Sequence, residues 1–478
     1  MPSVQAIAHW WFVPDLRAGK AIRKSSWGTA RASLRLPDMD DEALVRALRK
    51  QAMKVDLDGG WDGLLAAIGD ASLVLLGEAT HGSDEFYAAR LRISQRLIEQ
   101  KGFDAIAAEA DWPDALRAHR YAVGAVTGES ARDSLRAFRR FPLWMWRNER
   151  IVQLLDWLRA HNAGLAPHER AGFFGLDLYS LRNSMHAVVH YLQQVDPAAA
   201  AEARQRYACF DHLADEPQRY GRSTRFGLRK DCEDEVVRQL KTMLDDAGRY
   251  LQADGEAAPD ELFYAQQNAR VAQNAEAYYR TMFSSIDSSW NVRDSHMADT
   301  LFALREHLGR RRGRPAKIIV WAHNSHIGDA RATEMGRHGE LNLGQLVRER
   351  CGPGESFLLG FTTHTGTVTA ADQWDDPAQQ KQVRPSLPDS HESLFHRTGL
   401  APFLLNLREL PAYGSRLERA IGVIYRPDTE RWSHYFEADM ASQFDAVVHI
   451  DDTHALRPLD RGRLRGDEDM PETWPSGI

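Results

Sequence analysis

Short apolar runs that stop at an acid or a histidine recur along this chain, and they constrain its fold more than any other feature. Leu73–Leu76 is the first. A run of this length bounded by turn signals suits a strand buried on both faces of a parallel sheet. It ends at Gly77 and continues as Glu78, Ala79, Thr80, His81 and Gly82, a turn of small residues with a carboxylate and an imidazole three positions apart. Ser83–Lys101 then carries Phe86, Ala89, Ile93 and Leu97 near helical spacing, with Ser83 placed to cap the start and Gly102 to end it. Phe103–Ala108 reads as a second buried strand that ends at Glu109. Strand, helix, strand is one crossover unit, so Glu78, His81 and Glu109 are expected on one edge of a sheet, where α/β proteins bind ligands.

The pattern returns downstream. Ala171–Leu176 exits at Asp177, with Tyr179, Ser180 and Arg182 close behind, and Lys317–Trp321 exits into Ala322, His323, Asn324, Ser325 and His326. Gly354–Phe361, Gly422–Tyr425 and Phe444–Ile450 are further strand candidates. Asp38–Ile68 has helical character broken at Gly59-Gly60, and Pro113–Leu308 is almost wholly helical apart from the Ala171–Leu176 strand. The expected fold class is α/β: a central, largely parallel sheet flanked by helices. A large helical insertion over about 183–308 would form a lid over the active-site cleft. Residues 1–37 read as an N-terminal extension, and 38–478 as the α/β domain.

Composition narrows the function. The 478 residues carry 60 Lys and Arg against 67 Asp and Glu, a formal charge of −7. That leaves no basic footprint for nucleic acid and no polybasic signal for a membrane surface. No stretch approaches the roughly 20 apolar residues that span a bilayer. His9–Val13 is cut short by Pro14 and Asp15, so it is not read as a signal peptide. Cys209, Cys232 and Cys351 are far apart, odd in number and outside metal-ligand spacing, which points to a reducing compartment and a cytoplasmic protein.

Three strands delivering Glu78 and His81, Glu109, and His323 and His326 to one edge supply the parts of a hydrolytic site. A histidine titrates near ~6.5 and can take a proton from water. A neighbouring carboxylate fixes its tautomer, and further imidazole N–H groups can bind a carbonyl oxygen as charge develops on it. Each residue alone has a plainer reading: His81 as a loop residue, Glu109 as support for the next helix, His323 and His326 as a structural pair. Their convergence favours a site, because unpaired charges at buried strand ends are costly. Trp144, Trp146, Asp177 and Tyr179 are candidates to line the substrate cleft. His364, Thr365, His391 and Glu392 form a weaker group. No Gly-x-Ser-x-Gly elbow is present, which disfavours a serine hydrolase. Two other readings stay open: a metallohydrolase using Glu78, His81, Glu109, His323 and His326 as ligands of a divalent metal, and a protein that binds without turnover.

At Gly77–Gly82, at Glu109 and at Trp321–His326 the chain resembles the erythromycin esterase family, in its branch called succinoglycan biosynthesis proteins. The likeness runs from about Asp70 to the carboxyl terminus and includes Trp144–Asn148, Gly175–Tyr179, Trp290–Met297 and Glu472–Gly477. The resemblance implies a mainly helical lid over a deep cleft and hydrolysis of an ester or lactone, a macrolide among the possible substrates, by water without a covalent intermediate. It implies His81 as general base, with Glu78, Glu109, His323 and His326 completing the site. No cofactor is expected, with a divalent metal as the alternative, and the expected partner is a small molecule rather than nucleic acid or membrane.

Overall fold

A computed structural model describes residues 40–210, 232–254, 258–282, 288–410 and 413–460. The expected N-terminal extension and the Glu472–Gly477 tail lie outside them. Among the described residues eleven strands form in chain order: β1 Met53–Lys54, β2 Leu73–Leu76, β3 Ala105–Asp111, β4 Gly172–Asp177, β5 Ile318–Trp321, β6 Ser356–Ala370, β7 Gln379–Val383, β8 Phe403–Asn406, β9 Arg416–Arg419, β10 Tyr435–Ala438 and β11 Ala446–Thr453. The main sheet runs β1-β8-β11-β6-β2-β5-β3-β4, with β7 paired to β6, while β9 and β10 form a separate antiparallel pair. From β11 to β4 every pairing is parallel; β1, β7 and β8 add antiparallel edges.

The apolar runs become central strands because both faces of the sheet are covered. Val74, Leu76, Ile106, Ala108, Ile319 and Trp321 enter one hydrophobic core, and Leu73, Leu75, Ala105, Ala107, Ile318 and Val320 enter the other. Alternate residues of each strand thus serve opposite layers, and no polar position is tolerated between them. Helix Asp84–Lys101 follows β2 and ends at Gly102, whose φ of 66° is the left-handed cap that glycine adopts without strain. Ser83 does not cap this helix; its hydroxyl pairs with Thr80 Oγ1 at 2.5 Å.

Several expectations need correction. Gly422–Tyr425 is no strand: it carries an isolated bridge from Ile424 to Ala371. Asp38–Ile68 splits into helices Asp41–Gln51 and Asp62–Ile68 around β1. The helical stretch is interrupted at Leu135–Trp146 by short helical turns and extended chain, which the apolar periodicity of its flanks hides. Helices between Leu181 and Arg312 build a third core of their own from Leu178, Tyr179, Val188, Phe210, Val236 and Met243 among others. Cys209 and Cys232 form a disulfide with Cα atoms 6.1 Å apart, which runs against the reducing compartment expected from the cysteine spacing.

Gly82 lies where the chain after β2 crosses β6: its carbonyl accepts the N–H groups of Thr369 and Leu456. A Cβ there would overlap the backbone carbonyl of Thr369, whereas one at Gly59 meets nothing within 4 Å. Gly82→Ala is expected to cost about 1–3 kcal/mol of stability, the usual penalty for overpacking. Gly59→Ala should stay within about 0.5 kcal/mol. Urea unfolding of the two variants checks the contrast.

Candidate active site

The carboxyl ends of β2, β3, β4 and β5 open on one cleft, which encloses about 80 Å³. His81, Glu109, Asp177, His323 and His326 line it, as do Tyr179 and Trp146. Glu78 stands behind His81 rather than in the cleft. Its Oε1 accepts from His81 Nδ1 at 2.8 Å, and its Oε2 takes an ion pair from Arg90. Arg90 is itself buried against the rings of Tyr87 and Trp321. With Nδ1–H committed to Glu78, His81 keeps Nε2 as its free basic atom.

His323 lies with its ring 4.9 Å from that of His81. Its Nδ1 accepts the backbone N–H of Ser325 at 3.2 Å, so the ring proton sits on Nε2, which makes no hydrogen bond of good geometry among the described residues, though the Ala79 carbonyl is near enough to the ring to favour its protonated form. Burial, with the neighbouring His81, pushes the His323 pKa well below the usual imidazole range. It is therefore a neutral N–H donor. Ser325 Oγ is 2.9 Å from the same Nδ1, but so weak a base is a poor activator for a serine nucleophile.

His326 is the opposite case. Burial opposes its charge, yet Asp294, 3.0 Å from Nδ1, and Glu109, 3.3 Å from Nε2, raise its pKa to about 9. At neutral pH it is an imidazolium, stacked on Trp290 at 4.4 Å. Arg293 NH1 lies 3.2 Å from Nε2, a contact of proximity once both groups are charged. Asp294 is raised by burial, but of the pair we place the proton on His326, because two carboxylates face that ring.

Arg293 ties the floor together. Nε and NH2 grip Asp177 at 3.1 and 2.7 Å, and NH2 also reaches Glu109 Oε1 at 2.7 Å. Burial works against the charge on Glu109, but His326 and Arg293 hold its carboxyl well below the usual range. Its second oxygen accepts the backbone N–H of His323 at 2.9 Å. Among the described residues no three His, Cys, Asp or Glu side chains are arranged to hold a metal ion.

Of the described residues between Leu181 and Arg312, Trp290 and Arg293 line the cleft; Phe138, Arg140, Phe141, Pro142, Met145, Trp146, Trp374, Ala420, Gly422 and Val423 form further wall. Trp144 does not line it: the ring sits edge-on behind Phe141 at 5.3 Å. His364 bonds Ser386 Oγ, Thr365 Oγ1 donates to Val383, His391 donates to the Ala438 carbonyl and Glu392 accepts from the Arg419 backbone, all outside the cleft. Arg90, Arg140 and Trp374 were not singled out from sequence. A lone Arg or Trp inside a helical or polar stretch gives no signal until the fold places it.

The family model described as erythromycin esterase matches residues 98–453, a span that includes Glu109, His323 and His326 and begins after His81. YbfO of Bacillus subtilis (strain 168), whose name assigns it provisionally to the hydrolases, is 23% identical over 404 residues, covering 79% of this chain and 83% of its own. The crystal structure of a succinoglycan biosynthesis protein superposes with a TM-score of 0.71 at 22% identity, covering 87% of this chain and 98% of that one. A mutant of the erythromycin esterase EreC in its open conformation gives 0.59 at 19% identity, covering 85% and 96%. These two structures share the fold.

Removing the Asp294 carboxylate takes away a charge that favours the imidazolium, so Asp294→Asn should lower the His326 pKa from about 9. The stability that the protonated ring contributes is present below its unfolded value and is lost as pH rises through the folded one. In Asp294→Asn that loss should be complete at a lower pH, because the folded value moves down toward an unchanged unfolded one. Imidazole NMR titration of both proteins reads the shift.

Proposed function

The chain belongs to the erythromycin esterase family, and from that membership we propose that it hydrolyses an ester or lactone by direct attack of water, with His81 as general base and no covalent intermediate. The observation that carries this reading is the division of labour among three histidines: one with a free basic Nε2 backed by Glu78, one neutral donor, one fixed cation. Water held by His81 Nε2 loses its proton as it adds to the acyl carbon. Glu78, paired with Arg90, stabilises the imidazolium that forms. His323 Nε2–H is the donor for the carbonyl oxygen as it becomes an oxyanion. His326 and Arg293 add positive charge nearby and keep Glu109 in place.

The same contacts favour a site that works without metal. Glu78 and Glu109, two of the possible ligands, are already taken by Arg90 and Arg293, so a guanidinium stands where a metal cation would have to compete. The enclosed 80 Å³ suits a small acyl group. Sites for drug-sized ligands run to roughly 300–1,000 Å³, so a macrolide would require the wall to open.

The test is mass-spectrometric turnover of a panel of simple esters, lactones and macrolides. Wild type should add one water to at least one of them, and His81→Asn should lower that rate by about 10²–10⁴-fold while unfolding at an unchanged temperature. Full activity in a folded His81→Asn variant would remove His81 from the role of base.

A further inference from the structure

Arg140 lies on the cleft wall with donors the fold leaves unused. Its Nε donates to Asp111 Oδ2 at 2.9 Å and its NH1 to the Phe141 carbonyl at 3.1 Å. The guanidinium lies over the Tyr179 ring at 4.3 Å, and Asp111 Oδ1 accepts the Tyr179 N–H at 3.0 Å. These contacts fix the plane of the group. NH2 has no acceptor among the described residues, and the side chain keeps 17% exposure where it lines the cleft. Arg293 differs: its Nε and NH2 are engaged on Asp177 and Glu109, and its NH1 lies against the His326 ring.

The surrounding charges leave that edge open. Glu109 and Asp177 are taken by Arg293, and Asp111 by the Nε side of Arg140. Asp114 lies 3.5 Å from the Asn183 amide. Asp375, on the turn between β6 and β7, makes no ion pair with Arg140; burial pushes its carboxyl up and Arg140 offsets this only in part. Phe138, Phe141, Trp146 and Trp374 share the cleft and offer apolar surface. A fixed guanidinium with a free edge beside aromatic walls is suited to a carboxylate at the end of a short hydrocarbon spacer.

Resting on the hydrolase reading above, we infer that Arg140 binds a second carboxylate of the substrate, which makes the preferred substrate a half-ester of a short dicarboxylic acid. Water adds to the acyl carbon, the acyl C–O bond breaks, the alcohol leaves with a proton, and the product is the dicarboxylate. The small enclosed volume limits the spacer to a few methylene groups.

The experiment pairs rates with binding in wild type, Arg140→Met and Arg140→Lys. Substrates are the monomethyl ester of a short dicarboxylic acid and the neutral methyl ester of matching length; the binding probe is the free dicarboxylate, by calorimetry. Wild type should prefer the half-ester about 10–100-fold in kcat/KM, mostly through KM, as a charged hydrogen bond implies. Arg140→Met should lose that preference and bind the dicarboxylate at least about tenfold more weakly, with Arg140→Lys between. No preference in wild type, or equal losses on both esters in Arg140→Met with dicarboxylate binding intact, would overturn the assignment. Dicarboxylate binding that depends on Arg140 with no ester turned over would keep this site and sink the hydrolase reading. Ester hydrolysis without dicarboxylate binding would do the reverse.

Discussion

The site depends on one buried guanidinium. Arg293, on helix Ser289–Arg312, meets Glu109 from β3, Asp177 from β4 and His326 from the loop after β5. Each of these groups is buried, and an ion taken from water into a protein interior costs several kcal/mol unless it is paired. None of the four can be charged there alone. The arrangement exists because three strand ends and one helix deliver complementary charges to the same point, and the parallel register of β3, β4 and β5 sets that point.

From that centre the chemistry divides. On one side Asp294 and Glu109 keep His326 protonated, and on the other His323 is held neutral beside His81. Glu109 joins the halves, because one oxygen faces His326 and Arg293 while the other takes the His323 backbone N–H. A second buried arginine, Arg90, repeats the principle for Glu78, so Glu78 and Glu109 are each positioned by a guanidinium group. Two imidazoles three residues apart thereby hold different charge states, one neutral and one positive.

The sheet and most of the histidine–carboxylate set were legible in sequence because doubly buried strands must be continuously apolar, which makes their ends conspicuous. β2, β3, β4 and β5 appear within a few residues of the expected positions, and Glu109, Asp177, His323 and His326 follow from them. β7, Gln379–Val383, is mostly polar and lies at an edge, so it carries no such mark. The cleft walls were legible only in part. Trp146 and Tyr179 line the cleft, whereas Trp144, two residues from Trp146, turns behind Phe141, and local spacing does not reveal which ring of a pair faces inward. Arg293 and Asp294 stood in a helix without apparent purpose, since the partners that explain them are as many as 184 positions away. The segment Leu135–Trp146 shows the same limit: its role comes from where the fold places it, opposite Trp374 from the β6–β7 turn.

The central claim is that water, activated by His81 without metal, attacks the acyl carbon directly in a cleft lined by several carboxylates. It is tested most directly by a single turnover of an ester in ¹⁸O-labelled water, with enzyme in excess and a chelator present. The account predicts that the acid product carries one solvent oxygen in that first turnover. Unlabelled acid would mean that water does not supply the acyl oxygen, as when an enzyme carboxylate attacks first or the alkyl C–O bond breaks, and an absence of product until metal is added would mean that the water is activated by a metal; either result would contradict it.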